Sequence, residues 1–215
     1  METKAVIFDF NGTLFWDTPL HDKAWDLFLL DHHISFTKQD KMEKIHGKPN
    51  QDILRYIFGP GLSDTEVNRM IEQKEQIYRQ ICLESEMEFA PGALEFIQYL
   101  SQKSISYSIA TSSGWENVSF YIEQMNLARW FDLEKLVYND GSFRGKPQPD
   151  IFLKAFNLLD ILPEQALIFE DAPIGIQAAR NSGAGKIIIV NSNDNNYSEF
   201  KYPVISDFRE ASGYL

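Results

Sequence analysis

The sequence has little cysteine, little positive charge and no long hydrophobic run. The single cysteine, Cys82, excludes an internal disulfide, and its helix-like surroundings are typical of a buried thiol rather than a nucleophile. A net charge of −11 offers no basic face to a nucleic acid. No apolar run approaches the roughly 18 residues of a membrane span, and the start lacks a basic and apolar leader. We therefore expect a cytoplasmic protein without nucleic-acid or membrane partners.

The composition is that of an ordinary globular protein. A chain of 215 residues with 44% apolar residues can bury a sizeable core. It is long enough for one domain with a smaller domain inserted into it. We expect a monomer or a weak dimer.

The spacing of apolar residues along the chain changes twice. Residues 4–10 form a β-branched and aromatic run, whereas the stretch from about 20 to 88 has helical periodicity only. Within that stretch the spacing predicts helices at 19–32, 37–45, 50–57 and 63–84. After Pro91 and Gly92 helices and strands alternate, with strands expected at 105–110, 136–138, 166–170 and 186–190. Strict alternation predicts an α/β fold with a parallel sheet and right-handed crossovers.

Residues whose side chains can react or bind ligands lie at the carboxyl ends of the predicted strands. They are Asp9, Thr111 with Ser112, Lys146, and Glu170 with Asp171. Because these ends share one edge of a parallel sheet, where ligands bind, we expect the residues to converge.

The residue types at this edge suit phosphoryl transfer to a carboxylate. Asp9 can attack phosphorus, and Asp171 with Asp9 and a backbone carbonyl can supply the hard oxygen ligands that Mg²⁺ prefers. Lys146 can neutralise phosphate charge, while the Thr111 hydroxyl and the Ser112 N–H can bind phosphate oxygens.

Four ordered motifs resemble the haloacid dehalogenase superfamily, in particular its β-phosphoglucomutase-like phosphatases and phosphomutases. The motifs are FDFNGTLF, IATSS, GKPQPDIF and LIFEDAPIGIQAA. The resemblance implies a Rossmann-like core with helices on both faces, an inserted all-helical cap, Mg²⁺ and an aspartyl-phosphate intermediate. We place the catalytic core at 1–16 and 89–215 and the cap at 17–88.

The resemblance also implies a role for each matching residue. Asp9 would be the nucleophile, and Asp171 a metal ligand with Glu170 in the metal shell. Thr111, Ser112 and Lys146 would bind the phosphate. Asn11 would give its main-chain carbonyl to the metal. The expected function is that of a Mg²⁺-dependent hydrolase acting on a small phosphorylated metabolite, such as a sugar monophosphate.

Asn11 departs from the family pattern, which has a second aspartate at this position. A carboxylate can protonate the leaving oxygen and then deprotonate water, and an amide can do neither. The loss of such a group costs roughly 10²–10⁴ in rate. We therefore predict a slow enzyme, or one whose substrates have a leaving group that needs little help.

The helical segment is expected to select the substrate. His21 resembles a cap-entry histidine of the relatives, while Lys48 and Lys74 are possible substrate contacts or solvated lysines. Alignment on Gly47 and Asp52 places Asn50 where the relatives carry an arginine for a second phosphate, which disfavours a bisphosphate mutase.

Two other functions stay open. Lys44 precedes Gly47 in a segment similar to that of phosphonoacetaldehyde hydrolase, so a C–P bond hydrolase that forms a Schiff base on this lysine is one alternative. The other is a non-catalytic phosphate-binding protein that has lost the acid.

Overall fold

The structure, a computed structural model, describes residues 2–45 and 48–215, without the side chains at positions 38, 42 and 43. It divides into two compact units. The first, here called the core unit, comprises Met1–Trp16 and Met87–Leu215. The second, here called the cap unit, is Asp17–Glu86.

A five-stranded parallel sheet forms the centre of the core unit. Its strands are β1 (Ala5–Phe8), β2 (Ser106–Ile109), β3 (Ala166–Glu170), β4 (Lys186–Val190) and β5 (Val204–Ile205). They are arranged in the order β2-β1-β3-β4-β5. All residues of β1 and β3 are buried, as expected for strands covered on both faces. The predicted α/β fold with a parallel sheet is confirmed.

The cap unit is helical throughout its described residues. Its helices are α1 (Thr18–Asp31), α2 (Lys38–Lys44), α3 (Asn50–Phe58) and α4 (Asp64–Leu83). Capping boxes begin two of them: Thr37 caps α2 with Asp40, and Ser63 caps α4 with Glu66. An apolar cluster that includes Trp25, Phe28, Leu54 and Met70 holds the unit together.

Helices cover both faces of the sheet in the core unit. They are α5 (Ala93–Gln102), α6 (Trp115–Gln124), α7 (Asp150–Leu159) and α8 (Pro173–Asn181). Phe8 and Phe169 stack at 5.4 Å between ring centroids, and Phe96 of α5 packs against both. Ile7 and Ile168, which point to the opposite face, pack in one cluster with residues of α7 and α8. The two packed faces fix the edge of the sheet at which β1 and β3 end.

Two details of the core unit differ from the sequence prediction. The predicted strand at 136–138 is only an isolated bridge between Val137 and Ala110. Strand β5 was not predicted, because two residues are too short for a periodic signal. Among the described residues, no helix has both the length and the apolar character required to cross a membrane.

Candidate active site

The sheet topology brings distant segments of the core unit to one edge. Asp9 follows β1 directly, and Glu170 is the last residue of the neighbouring strand β3. The register aligns Phe8 with Phe169, so the residues that follow them lie side by side. Lys146 reaches the same place from the loop before α7.

Three carboxylates and one ammonium group form the centre of this site. Oxygen atoms of Asp9, Glu170 and Asp171 all lie within 4.8 Å of one another. Lys146 Nζ donates to Asp9 Oδ1 and to Glu170 Oε1, both at 2.5 Å. The Lys146 side chain is only 5% exposed, so these ion pairs are shielded from water.

The charges perturb one another. Burial raises the pKa of Asp171 well above its usual range, and the nearby carboxylates of Glu170 and Asp9 raise it further. Burial would lower the pKa of Lys146, but the charges of Asp9 and Glu170 outweigh that effect and raise it. The cluster therefore has an excess of negative charge that favours a cation.

Backbone N–H groups orient the central carboxylate. Glu170 Oε2 accepts hydrogen bonds from the N–H groups of Asp171 at 3.0 Å and Ala172 at 3.1 Å. A Cβ atom at Gly175 would lie 1.8 Å from Glu170 Oε1. The glycine therefore makes room for the carboxylate, and no larger residue fits without a shift.

Asp171 is held in a similar way. Its Oδ1 accepts a hydrogen bond from Thr13 Oγ1 at 3.1 Å, and its carbonyl accepts one from Tyr197 OH at 2.7 Å. Gly12 adopts a positive φ of 77°, and a Cβ there would lie 2.2 Å from Asp171 Oδ2. The glycine turn after β1 thus fits directly against the second acidic segment.

Asn11 is enclosed by hydroxyl groups of the core unit. Its Oδ1 accepts hydrogen bonds from Ser113 Oγ at 2.8 Å and from Thr111 Oγ1 at 3.4 Å. Its Nδ2 donates to Tyr121 OH at 2.9 Å. Sequence reasoning missed Ser113 and Tyr121. Ser113 is the last residue of the IATSS motif, so its place near the site could have been predicted from the sequence. Nothing near Tyr121 in the sequence indicates its contact with Asn11.

The two predicted phosphate-binding residues after β2 have different environments. Thr111 is buried, and its Oγ1 accepts a hydrogen bond from the Ser113 N–H at 3.1 Å. The Ser112 side chain is exposed at the bend of the loop. The loop therefore turns so that Thr111 faces Asn11.

Two of the predicted substrate residues of the cap unit, Lys74 and His21, belong to an ionic cluster that also contains Glu75. Lys74 Nζ lies 2.8 Å from Glu75 Oε1 and 2.9 Å from His21 Nδ1. An ammonium group only donates, so His21 Nδ1 accepts, and its Nε2–H points to Asp17 Oδ2 at 3.3 Å. With a side chain 2% exposed, Lys74 is not a solvated lysine, which was one of the two interpretations of this residue from the sequence.

Asn50 belongs to the same cluster, because its Nδ2 donates to Glu75 Oε1 at 2.8 Å. Lys48 is exposed at the surface of the cap unit, and Lys44 forms an ion pair with Asp40. Gly47, one of the two residues that align Asn50 with the relatives, lies outside the described residues.

Residues 6–189 match the haloacid dehalogenase-like hydrolase family, and the chain belongs to that family. Over this range lie all four motifs and the carboxylate cluster. The chain is therefore a hydrolase of the haloacid dehalogenase type.

Individual relatives agree with this assignment. A crystal structure of a haloacid dehalogenase hydrolase, family IA, variant 3, from Entamoeba histolytica superimposes with a TM-score of 0.91. It is 34% identical, and the match covers 98% of this chain and 95% of that one. A phosphorylated carbohydrates phosphatase from Thermotoga maritima is 28% identical over 86% of this chain and 83% of its own length. A fructose-1-phosphate phosphatase from Escherichia coli is 28% identical over 83% of this chain and 92% of its own length.

Proposed function

We propose that this chain is a Mg²⁺-dependent phosphatase of small phosphorylated metabolites, with Asp9 as the nucleophile. The observation that carries the proposal is the buried contact between Asp9 and Lys146, with Glu170 and Asp171 alongside. The Asp9 carboxylate can attack phosphorus, and its contact with the Lys146 ammonium group holds it in position. The same ammonium group can neutralise the charge on the phosphate.

The residues at this edge fit a magnesium ion. Asp9, Asp171 and the Asn11 main-chain carbonyl are the proposed ligands, with Glu170 in the surrounding shell. All are hard oxygen donors. Burial and the charges of Glu170 and Asp9 raise the pKa of Asp171, and a cation bound between these carboxylates would offset that repulsion. Gly12 and Gly175 leave space for two of these carboxylates. Bound Mg²⁺ would supply positive charge next to the phosphate oxygens.

The covalent chemistry balances in two steps. An Asp9 oxygen forms a bond to phosphorus while the bond to the ester oxygen breaks, and the alkoxide leaves and takes a proton from solvent water. Water then attacks the same phosphorus and gives a proton back to solvent, the bond to Asp9 breaks, and inorganic phosphate is released. Thr111, the Ser112 N–H and Lys146 would hold the phosphate oxygens in both steps.

Asn11 makes both steps slow in this proposal. The amide can hydrogen-bond to a leaving oxygen but cannot transfer a proton to it or take one from water. Its hydroxyl partners include Ser113, Thr111 and Tyr121. A hydroxyl group is a poor base near neutral pH, so these partners do not replace the missing carboxylate.

The substrate class follows from the relatives and from the cap residues. Several relatives are named as phosphatases of phosphorylated carbohydrates, of fructose 1-phosphate and of hexitols. We propose that residues 17–88 act as a cap on a core of 1–16 and 89–215, and that His21, Lys48, Asn50 and Lys74 contact the substrate. Glu75 neutralises Lys74, which supports a monophosphate rather than a bisphosphate. A cytoplasmic location and a monomeric or weakly dimeric state belong to the same proposal.

A panel of metabolite phosphates tests the proposal. The chain and its Asn11→Asp variant are assayed for phosphate release with Mg²⁺ and with EDTA, and Asp9→Asn is the control for contaminating phosphatases. We expect release that needs both Mg²⁺ and Asp9 and that is fastest on sugar monophosphates. Release that persists in Asp9→Asn, or no release from either of the other chains, would contradict the proposal.

A further inference from the structure

The core unit exposes one large aromatic side chain close to the candidate active site. Trp115 is 52% exposed, whereas the other large apolar side chains exposed in the described part of this unit are leucines and a valine. Scattered surface leucines are common, but a tryptophan ring usually buries most of its area. About half of the Trp115 surface is therefore left open to a ligand.

Trp115 is placed by the loop that surrounds Asn11. It is the first residue of α6, and Gly114 alone separates it from Ser113. Ser113 in turn donates to Asn11 Oδ1 at 2.8 Å. Trp115 is thus two residues further along the chain than Ser113, whose side chain contacts Asn11.

A second segment supports the tryptophan ring. Trp115 packs on Tyr138, with ring centroids 5.3 Å apart and planes inclined by 43°. The segment of Tyr138 runs beside the loop, because the Thr111 N–H donates to the Val137 carbonyl and the Asn139 N–H to the Ser113 carbonyl. The ring pair therefore lies beside the loop that holds Thr111 and Ser113.

Two basic side chains that follow Tyr138 along the chain are held in ion pairs, so they do not favour a second phosphate. Lys154 is paired with Asp140 at 2.7 Å, and Arg144 is paired with Asp150 at 2.8 Å. Glu116, the residue after the tryptophan, adds a negative charge. Apolar ring surface, rather than unpaired positive charge, is what these residues present to a ligand.

We propose that Trp115 and Tyr138 form a substrate subsite that stacks on the flat face of a ring in the alcohol part of the phosphate monoester. An aromatic ring and a sugar pyranose both offer such a face to an indole. This inference rests on the proposed phosphatase function and narrows its substrate class. In it, Trp115 contacts substrate and determines specificity but takes no part in the bond-making steps.

Titration calorimetry with Mg²⁺ tests the subsite in an Asp9→Asn background, which prevents turnover. Phenyl phosphate and glucose 6-phosphate carry a ring, and glycerol 3-phosphate does not. We expect Trp115→Ala to weaken binding of a ring ligand by about tenfold, as for the loss of one stacking contact. Trp115→Phe should retain most of the affinity. Leu158→Ala, which removes an exposed apolar side chain elsewhere in the core unit, should change nothing.

Each outcome of the titration has a distinct meaning. A loss confined to phenyl phosphate assigns an aromatic alcohol, and a loss confined to glucose 6-phosphate assigns a sugar ring. Equal changes for all ligands, or no change for any, overturn the subsite while leaving the phosphatase proposal intact. If the Asp9→Asn chain binds none of the phosphates and the unsubstituted chain does not bind inorganic phosphate with Mg²⁺, the subsite and the phosphatase proposal are both contradicted.

Discussion

The Asn11→Asp substitution restores an acid–base group to surroundings that already suit it. An aspartate can accept the same hydrogen bonds from Ser113 and Thr111 that Asn11 Oδ1 accepts. Tyr121 OH now accepts from the amide, and its rotatable proton can instead be donated to a carboxylate. We therefore expect the variant to fold normally and to melt near the temperature of the parent chain.

The expected gain in rate is large. A positioned acid–base group contributes about 10²–10⁴, which is about 3–5 kcal/mol of activation free energy. The gain should be greater for glycerol 3-phosphate than for p-nitrophenyl phosphate. The reason is that an alkoxide needs a proton to leave, whereas nitrophenolate does not.

The assay measures kcat/KM for both esters with saturating Mg²⁺. Asn139→Asp is the matched control, because it makes the same change of charge on an exposed residue of the neighbouring segment. It should leave the rate almost unchanged. If Asn11→Asp gave no gain while Asp9→Asn still abolished the activity, the amide would not be the cause of slow turnover.

Three further predictions concern the carboxylates and the cysteine. Gly175→Ala should cost about 1–3 kcal/mol of stability and weaken Mg²⁺ binding, because its Cβ would overlap Glu170; Gly213→Ala, with nothing within 4 Å, should melt like the parent. Because the pKa of Asp171 is raised in the folded state, the metal-free chain should lose stability as pH rises from about 4 through that pKa. Melting curves recorded in EDTA over this pH range test the prediction. Added Mg²⁺ should oppose the loss of stability. Burial raises the pKa of Cys82 to about 12, so iodoacetamide should label it at pH 8 only after unfolding, and rapid native labelling would contradict its burial.

The sequence was sufficient to predict the architecture of the core unit. The buried strands β1 and β3 are runs of apolar residues, each followed by acidic residues, and their patterns depend only on local sequence. Strand β5 could not be predicted, because its existence depends on pairing with β4 rather than on any pattern of its own. The bridge at Val137 was predicted as a strand because its apolar neighbours resemble one.

The site was predictable where its residues lie in local sequence motifs, and not where they depend on contacts between distant segments. Residues in recognisable motifs, such as Asp9 and Lys146, could be named and expected to converge. Partners that lie far along the chain could not be named. Tyr121 accepts a hydrogen bond from Asn11, which is 110 positions away, and no local sequence pattern predicts this contact. The burial of Lys74 was missed for the same reason, since one of its two partners, His21, is 53 positions away.

The most direct test of the central claim is to find the phosphoryl group on Asp9. The chain is mixed with Mg²⁺ and acetyl phosphate, quenched in acid and digested, and the peptide that contains residues 5–14 is examined by mass spectrometry. We expect a phosphoryl group on Asp9 that is absent from Asp9→Asn and from a sample with EDTA. A phosphoryl group on another residue, or none while phosphate is released, would contradict the account.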